Sequence, residues 1–394
     1  MTTQEIRNIS RQIENKLISI RRKLHMHPEL AFEEAETSRF ICNYLKELGI
    51  EVTDNIAKTG VVGLIRSGYP GKTIALRADM DALPILEENN CAYASTIPGK
   101  MHACGHDVHV TCLLGAAEVL MRLKDKIKGN IKLIFQPAEE GAGGALPMIE
   151  EGILSNPSVD ACIAAHVWPE VPVGKIEVKQ GPIMASPDDF ELIIKGKGGH
   201  GAEPHATVDP ISIGCQVVNA LQTIVSRRMD PLMPAVISIC SFQSGSCTNV
   251  IPDIAVLKGT ARTFDPAMRK KMADMIEEIA GGIIKAMGGD YELNYRYLYP
   301  PTINDSTITN MLAASAVKIV GAENVLWSEK PSMSGEDFAY FAERVPSSLF
   351  RLGCSNPAKG ISASLHSPTF DVDEKCIAIG TSVLAQFALD FLNQ

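Results

Sequence analysis

The chain has 394 residues, of which 45% are hydrophobic and 21% are charged. A chain of this length predicts two domains, and this composition is typical of a folded protein and excludes an intrinsically disordered one. The net charge of −9 argues against nucleic acid as a partner, because binding to phosphates needs a basic surface.

Hydropathy and cysteine usage predict a cytoplasmic protein without a membrane partner. No apolar stretch approaches the ~20 residues that a membrane span needs, and the N-terminal segment lacks the apolar core of a signal peptide. The 10 cysteines have no paired spacing, which favours reduced thiols. Six of them lie in apolar patterns that predict burial: Cys42, Cys112, Cys162, Cys215, Cys240 and Cys376.

The first half of the chain alternates helices and strands. In chain order, hydrophobic periodicity predicts a helix over residues 6–24, a helix over 33–48, strands over 61–65 and 74–77, a helix over 108–123, and strands over 131–135 and 161–165. This alternation predicts an α/β layer with a mostly parallel central sheet. Functional side chains gather at the C-terminal ends of such strands, where Asp79, Glu139, Glu140 and His166 lie.

From residue 187 the pattern changes to β-α-β-β-α-β, the order of a ferredoxin-like unit. Its elements are predicted as a strand over 190–194, a helix over 210–228, strands over 235–242 and 254–263, a helix over 266–287 and a strand over 291–297. The α/β pattern then returns, with helices over 306–320 and 337–344, a strand over 348–352 and a last helix from residue 373. The sequence therefore predicts one domain of residues 1–186 and 300–394, interrupted by an inserted α+β domain of residues 187–299.

Cys104 and His106 lie on a loop between a predicted strand and a predicted helix, a place that suits metal binding. Three further candidate ligands follow strands or lie in loops: Glu140, His166 and His366. Thiolate, imidazole and carboxylate together suit zinc, and also manganese, cobalt or nickel. Five ligands exceed the need of one tetrahedral ion, which predicts two divalent ions sharing a water. The remaining histidines of the catalytic part are interpreted as helix-end or hydrogen-bonded residues: His25, His27, His102 and His109.

Glu139 precedes the candidate ligand Glu140 directly. Adjacent residues on an extended segment point in opposite directions, so the two carboxylates are expected to have different roles. If Glu140 binds metal, Glu139 can act as a general base toward water and then return the proton to a leaving amine. The alternative is a solvated acidic loop.

Six segments together resemble the aminoacylase/carboxypeptidase family of metal-dependent amidohydrolases: Leu76-Arg-Ala-Asp-Met-Asp-Ala-Leu-Pro84, Met101-His-Ala-Cys-Gly-His-Asp-Val-His109, Gln136-Pro-Ala-Glu-Glu-Gly141, Gly198-Gly-His-Gly-Ala202, Ser334-Gly-Glu-Asp-Phe338 and Leu365-His366. The branch with N-acyl-L-amino acid amidohydrolases, hippurate hydrolases and auxin-conjugate hydrolases is the most similar. The resemblance implies a zinc-peptidase-like catalytic domain and a homodimer, or a tetramer, built through the inserted domain, which also serves as a lid. It implies the five ligands named above and Glu139 as the base.

The resemblance also implies roles for further residues. Asp79 stands where the peptidase branches have a metal-binding histidine, and Asp81 matches the aspartate that orients a ligand. His200 is similar to the histidine that reaches a neighbouring subunit's active site and stabilises the oxyanion. Asn249, Arg262 and Gly335 are expected to bind the substrate, with Arg262 suited to a carboxylate.

The implied reaction is hydrolysis of an N-acyl-L-amino acid of the N-acetyl or N-benzoyl type, including N-acetyl-diaminopimelate-like or hippurate-like compounds. Two rival enzymes stay open: a metallo-carboxypeptidase or dipeptidase, and a cysteine hydrolase in which Cys104 is the nucleophile and His106 the base. A metal-dependent binding protein is the non-enzymatic alternative. It is disfavoured by the spare carboxylate of Glu139, because a closed structural site needs none.

Overall fold

Helices and strands of a computed structural model, which describes residues 2–141 and 143–393, follow the chain in an alternating order. The helices are α1 (Thr2–Met26), α2 (Ala35–Glu47), α3 (His106–Arg122), α4 (Ala145–Glu150), α5 (Pro210–Thr223), α6 (Pro266–Ala286), α7 (Ser306–Val320), α8 (Ala339–Ala342) and α9 (Lys375–Leu392). The strands are β1 (Glu51–Ile56), β2 (Gly60–Arg66), β3 (Thr73–Asp79), β4 (Asn130–Gln136), β5 (Ala161–Pro172), β6 (Ile176–Val178), β7 (Gly181–Met184), β8 (Ser186–Lys195), β9 (Gly199–His200), β10 (Ala235–Ser244), β11 (Val250–Ile251), β12 (Ile254–Thr263), β13 (Asp290–Arg296), β14 (Thr302–Asn304), β15 (Val325–Trp327) and β16 (Ser347–Ser355).

Contacts within the chain divide it into two units. The first comprises Met1–Ile183, Ile303–Lys330 and Asp337–Gln394, and the second comprises Met184–Thr302 and Pro331–Glu336. The sequence-based division assigned residues 331–336 to the catalytic domain, and that assignment was wrong. In the structure this short segment is bonded to the second unit, because Ala185 donates its N–H to the carbonyls of Ser332 and Ser334.

The sheet of the first unit has the strand order β1-β2-β4-β3-β5-β16-β6-β15. Its central strands β4, β3, β5 and β16 run parallel, while the pairs β1–β2, β2–β4 and β16–β6 are antiparallel. The predicted mostly parallel sheet is thus confirmed at the centre. Strand β3 is buried along its whole length, as strands covered on both faces are. The parallel register brings the ends of β3 and β4 together, since Asp79 pairs with Gln136.

Helix α9 forms part of the core of the first unit. Most of its residues are buried, and it packs against α1, α3 and α7. By length and composition α9 could cross a membrane, but 78% of it is buried inside the protein. Its apolar character is therefore that of a core helix. Gly115 of α3 permits close packing there, because a Cβ at that position would lie 2.5 Å from Thr381 Oγ1 of α9.

The second unit has an antiparallel sheet in the order β10-β12-β8-β13, against which α5 and α6 pack. With β8, β10, β12 and β13 numbered one to four, this order is that of the ferredoxin-like unit that the sequence predicts. Both helices begin with an aspartate cap: Asp209 accepts the N–H of Ile211, and Asp265 accepts that of Met268.

Several local predictions were wrong. Cys215 and Cys240, which were expected in the core, are exposed. Cys240 lies on the edge strand β10, where the register shifts between Ile239 and Ser241, so its apolar neighbours do not imply burial. The helix predicted over 337–344 is only the short α8. Strand β1 escaped prediction because it is an edge strand whose residues are mostly exposed.

Candidate metal centre

Cys104 and His106 are buried at the start of α3, with Gly105 between them. Gly105 has a left-handed φ of 85°, and a Cβ there would lie 2.4 Å from Val167 Cγ2. Glycine is therefore required for the turn that presents both neighbouring side chains to one site.

His166 extends from β5 toward the same site. Its Nε2 lies 3.6 Å from Cys104 Sγ. Its Nδ1 lies 2.7 Å from the carbonyl of Val167, to which it donates, so the proton is on Nδ1 and the lone pair of Nε2 is available. Burial lowers the pKa of His166 to about 3, which keeps the imidazole neutral, the form that binds a metal ion.

The Glu139-Glu140 segment follows β4 and is fixed through its backbone. Asp81 accepts the N–H of Glu139 on Oδ1 and that of Glu140 on Oδ2, each at 3.0 Å. Buried Glu34 accepts the N–H of Ala138 at 2.9 Å. Ala138 itself has a left-handed φ of 56°. The carboxylates of Asp81 and Glu34 thus hold the backbone of this segment, and the side chains of Glu139 and Glu140 contact other groups.

The two glutamate side chains have different neighbours. Glu139 Oε1 accepts the N–H of Asp337 at 3.4 Å. Glu140 Oε1 lies 3.2 Å from His366 Nε2 and 3.9 Å from His106 Nε2. The expected difference in orientation is present, although one carboxylate oxygen of each glutamate comes within 4.8 Å of a His106 nitrogen.

His366 is half-exposed and has a left-handed φ of 63°. Its N–H donates to the carbonyl of Ala103 at 2.8 Å, which ties the segment of His366 to the segment of Cys104. Two overlapping groups of candidate ligand atoms result, each with all atoms within 4.8 Å of one another: Cys104, His106 and His166, and Cys104, Glu140 and His366.

The electrostatics of this cluster suit a bound cation. Burial opposes a charge on His106, but the carboxylates of Asp79, Asp81 and Glu140 outweigh burial and raise the pKa of His106 to about 10. Burial and the nearby carboxylates also hold the pKa of the Cys104 thiol well above its usual value. Both ring nitrogens of His106 and Oε1 of Glu140 are buried without a hydrogen bond in the described structure. A divalent ion bound to Nε2 of His106 and to Glu140 would satisfy those two atoms and stabilise the thiolate, while Nδ1 of His106 faces Asp81 Oδ1 at 3.3 Å.

His109 supports the site and is not available as a ligand. Its Nε2 accepts the N–H of Val167 at 2.8 Å, and its Nδ1 lies 2.5 Å from Asp79 Oδ1. Asp79 also accepts a hydrogen bond from Arg77 at 2.7 Å. Burial opposes the charge of Asp79, but His106, His109 and Arg77 hold its pKa well below the usual range. Asp79 therefore stays a carboxylate behind His106, whose Nε2 is 3.8 Å away.

Other histidines that were interpreted as structural behave differently from one another. His25 is hydrogen-bonded as expected, with Nδ1 2.8 Å from Asp107 and Nε2 3.2 Å from Glu87. His27 bonds the carbonyl of Lys23 at the end of α1. The expectation for His102 was wrong, because neither of its buried ring nitrogens has a hydrogen-bond partner in the described structure. Burial lowers its pKa to about 3.

In the second unit, His200 and Asn249 lie side by side. His200 of β9 pairs with Val250 of β11, and the carbonyl of Asn249 accepts the N–H of Gly201 at 2.8 Å. Both residues are exposed. His200 Nδ1 accepts the N–H of Ala202 at 3.0 Å, so the Nε2 of the neutral ring carries the proton and can donate it.

Arg262 and Gly335 lie together at a different place in the second unit. Arg262 Nη1 donates to the carbonyl of Met333 at 2.8 Å. A Cβ on Gly335 would lie 2.4 Å from Pro187, whose register partner is Arg262. Strand β12 separates this pair from His200 and Asn249, on the order of 26 Å along eight residues of extended chain. The four residues therefore form two separate pairs within one copy of the unit.

Three residues that support the site were not identified as functional in the sequence: Asp337, Arg77 and Gln136. Asp337 accepts hydrogen bonds from Arg77 at 2.9 Å, from Gln136 at 2.8 Å and from the N–H of Ala145 at 2.9 Å. These bonds fix the end of β4, from which the Glu139 segment starts. An arginine inside an otherwise apolar strand was the available sequence signal, because a buried cation requires a buried acidic partner.

Comparisons with known proteins show which family the chain belongs to. The sequence pattern of peptidase family M20/M25/M40 matches residues 75–390. The chain is 42% identical to thermostable carboxypeptidase 1 of Saccharolobus solfataricus over 99% of each chain. It is 45% identical to an N-acyl-L-amino acid amidohydrolase of Geobacillus stearothermophilus, over 77% of this chain and 82% of that one.

A solved structure gives the same result. A Bacillus subtilis protein, described as a dinuclear metal binding peptidase, superposes with a TM-score of 0.83 at 37% identity, over 97% of this chain and 99% of that one. The match to the family pattern covers most of the chain and includes every candidate ligand. The resemblance inferred from the six sequence segments is confirmed, and the chain belongs to peptidase family M20/M25/M40.

Proposed function

We propose that the protein is a metal-dependent amidohydrolase that cleaves N-acyl-L-amino acids into a carboxylic acid and a free amino acid. Membership of the family makes it a hydrolase of amide C–N bonds. One observation carries the proposal: a thiol, three imidazoles and a carboxylate converge in two overlapping groups, with the further carboxylate of Glu139 beside them. A site that serves only for structure has no use for that further carboxylate.

The ligands would be Cys104, His106, Glu140, His166 and His366, which together can hold two divalent ions per subunit. Zinc, manganese, cobalt and nickel all suit this donor set. Bound there, the ions would polarise the substrate carbonyl and lower the pKa of a water molecule.

Glu139 is proposed as the general base. Its Oε1 is oriented by the N–H of Asp337, and its backbone by Asp81, so the carboxylate is held in one position beside the ligands. It would accept a proton from the attacking water and donate it to the nitrogen of the leaving amine. Asp81 acts through other groups, since it also lies 3.3 Å from His106 Nδ1 and orients that ring.

Substrate contacts are proposed for the second unit. Arg262 would bind the α-carboxylate of the amino acid beside Gly335, because guanidinium pairs with carboxylate through two parallel hydrogen bonds. His200 and Asn249 would complete the site of a neighbouring subunit, with His200 Nε2 donating to the developing oxyanion. Their separation from Arg262 along β12 supports this division. The second unit would therefore serve as lid and dimerisation domain.

A cysteine hydrolase is disfavoured by the surroundings of Cys104. Nucleophilic cysteines have a lowered thiol pKa, whereas burial and the nearby carboxylates raise the pKa of Cys104 well above its usual value. All 10 cysteines are free, which supports the proposed cytoplasmic location.

The test is hydrolysis by the purified protein before and after chelation, with each candidate metal added back. The substrates would be N-acetyl and N-benzoyl amino acids, N-acetyl-diaminopimelate and matched dipeptides. We expect the chelated protein to be inactive and the acylated amino acids to be preferred over dipeptides. Full activity after complete metal removal would contradict the metal-dependent mechanism, and preferred cleavage of dipeptides would favour the peptidase alternative.

A further inference from the structure

We infer that Arg21 is a positioning residue for the metal centre: its buried guanidinium joins the segment that carries Cys104 and His106 to the segment that carries His366. The inference rests on the proposed function, since it concerns the ligands proposed there. Arg21 lies in α1, outside the segments that carry the ligands, and its side chain is 0% exposed.

The first link runs to Asp107, the residue after His106 in the first turn of α3. Arg21 Nε donates to Asp107 Oδ2 at 2.8 Å, and both side chains are fully buried. His25, one turn later in α1, lies 2.8 Å from the same oxygen. Asp107 Oδ1 accepts the N–H of Val108 at 3.0 Å. The carboxylate is therefore held from two sides, and with it the turn that presents His106.

The second link runs to Asp371, five positions after His366. Arg21 Nη2 donates to Asp371 Oδ1 at 3.0 Å, while Asp371 Oδ2 accepts the hydroxyl of Tyr93 at 2.7 Å. The guanidinium carbon lies 5.0 Å from the centre of the Tyr93 ring, and Nη1 is 3.5 Å from Glu374. One planar group thus bonds two carboxylates on different segments.

The two segments also meet directly in front of Arg21. His366 donates its N–H to the carbonyl of Ala103 at 2.8 Å. The Phe370 ring packs close to Gly105, since a Cβ there would lie 3.6 Å from it. The segments of Cys104 and His366 are therefore joined twice, by the backbone hydrogen bond from His366 to Ala103 and by the side chain of Arg21. Loss of the Arg21 link would allow the two segments to shift against each other.

Charge and geometry favour a positioning role over a purely stabilising one. A buried ion pair is weak evidence for a stabilising role, because desolvation offsets most of the attraction, although loss of one partner alone destabilises the fold. Arginine differs from lysine in that its rigid fork can bond two carboxylates at once, whereas an ammonium is a point charge. Lysine at this position would keep the charge beside Asp107 and lose the bridge to Asp371.

The test uses Arg21→Lys and Asp371→Asn in the full-length protein, with metal affinity measured by competition with a chromophoric chelator. We expect both variants to bind zinc or manganese about 10- to 100-fold more weakly, as changes behind metal ligands do. Affinity should be measured at a temperature where the metal-free variants are folded, because a change to one partner of a buried pair also lowers the thermal midpoint. Saturating metal should restore kcat with KM unchanged. The double variant should be no weaker than the worse single variant, because both changes break one bridge.

Arg22→Lys is the matched control. Arg22 is the next residue of α1 and pairs with Glu374 at 2.6 Å, but it bonds neither Asp107 nor Asp371. Its metal affinity should equal that of wild type. Wild-type metal affinity in Arg21→Lys and Asp371→Asn would overturn the inference, as would a lowered apoprotein midpoint without a change in affinity. If Arg21→Lys fails to fold, Asp371→Asn decides alone, because Asp371 is 21% exposed and its loss leaves Arg21 paired. Failure of wild type to bind metal would instead contradict the proposed function.

Discussion

Glu139 and Glu140 have neighbouring backbone amides that bond one aspartate, but their side chains meet different groups. The N–H groups of both residues bond Asp81, so the backbone is fixed and the two side chains cannot exchange their positions. Glu140 Oε1 lies within 4 Å of the candidate ligands His106 and His366, while Glu139 Oε1 accepts the N–H of Asp337. At the scale of single residues, chemistry is thus assigned by what each oxygen contacts.

The first prediction separates these two roles. Glu139→Gln should keep its metal and bind substrate but lose ~10²–10⁴-fold in kcat, because an amide cannot accept the proton. Glu140→Gln should lose metal. Metal analysis and steady-state kinetics on both variants provide the measurement, and equal metal loss in the two would show that the roles are not divided.

The second prediction concerns Cys104. A thiolate bound to metal is shielded from alkylating agents, so iodoacetamide should modify Cys104 slowly in the metal-loaded protein. After chelation modification should remain slow at neutral pH, because burial and the carboxylates raise the pKa of the free thiol, and accelerate in alkaline buffer. Exposed Cys215 and Cys240 should react in both states and serve as internal controls for mass spectrometry. Rapid alkylation of Cys104 in the loaded enzyme would refute its role as a ligand.

The third prediction concerns Arg262. An N-acyl amino acid amide should be a poorer substrate than the acid for wild type, and Arg262→Ala should remove that preference. A hydrogen bond to a charged group contributes about 1.5–3 kcal/mol, which sets the size of the preference in kcat/KM. Lys258→Ala is the control, because Lys258 lies on the same strand and pairs with Glu191 at 2.8 Å. Equal wild-type turnover of acid and amide would argue against the assignment.

At the scale of elements, helices α1, α2 and α3 are joined by one carboxylate. Glu118 of α3 accepts hydrogen bonds from Lys16 of α1 at 2.8 Å, from Tyr44 of α2 at 2.6 Å and from Arg122 at 2.5 Å. Burial opposes the charge, but these bonds outweigh it and lower the pKa of Glu118 below its usual 4.5. The helices that support the metal-binding turn are therefore coupled by a group that titrates in acid.

The fourth prediction follows from that pKa. A carboxyl whose folded pKa is lowered stabilises the fold above its unfolded value of 4.5 and loses that contribution as pH falls through the folded pKa. The free energy of unfolding of wild type should exceed that of Glu118→Gln by about 1–3 kcal/mol at neutral pH. The difference in the free energy of unfolding should shrink in acid below pH 4.5. The contributions of other titrating groups cancel from this difference, because both proteins contain those groups.

Urea unfolding at a series of pH values provides the measurement. Glu36→Gln is the control, since Glu36 forms an exposed pair with Arg39 at 2.6 Å and should change stability little at any pH. A difference between wild type and Glu118→Gln that does not depend on pH would show that the charge of Glu118 has no part in joining the helices.

At the scale of the whole molecule, the fifth prediction concerns residues that would act between subunits. His200 and Asn249 lie at the end of β12 opposite Arg262, so one copy of the second unit cannot place all of them around one small substrate. His200→Ala should lose ~10²–10³-fold in kcat while keeping its metal and its oligomeric state. Asn249→Ala should likewise keep its metal and its oligomeric state.

Mixing His200→Ala with Glu139→Gln should restore activity, because some heterodimers would contain one site without either change. Mixing Glu139→Gln with Glu140→Gln is the control and should restore none, since both changes affect the same subunit's site. Subunit exchange, followed with labelled protein, must accompany the assay. Exchange without recovery of activity would show that His200 does not act across the interface.

The sequence by itself determined the class of fold, most of the elements and the candidate ligands. Periodicity identifies long buried helices and strands because one face, or all of a strand, is removed from water, and β12 and α7 have the predicted bounds. The ligands could be found because thiol, imidazole and carboxylate at strand ends are few in a chain with only 9 histidines. Edge strand β1 and the short β9 and β11 have no such pattern, so local composition does not predict them. Cys240 has apolar neighbours that predict burial, yet it is exposed.

Only the tertiary structure decided which side chains share a contact across long stretches of chain. Asp337 bonds Arg77, and Asp371 bonds Arg21, over separations of 260 and 350 residues that no spacing rule covers. The assignment of residues 331–336 to the second unit depends on such bonds too, as does the separation of Arg262 from His200. Periodicity reports which residues are buried, whereas the partner of a buried charge is fixed by how distant segments pack.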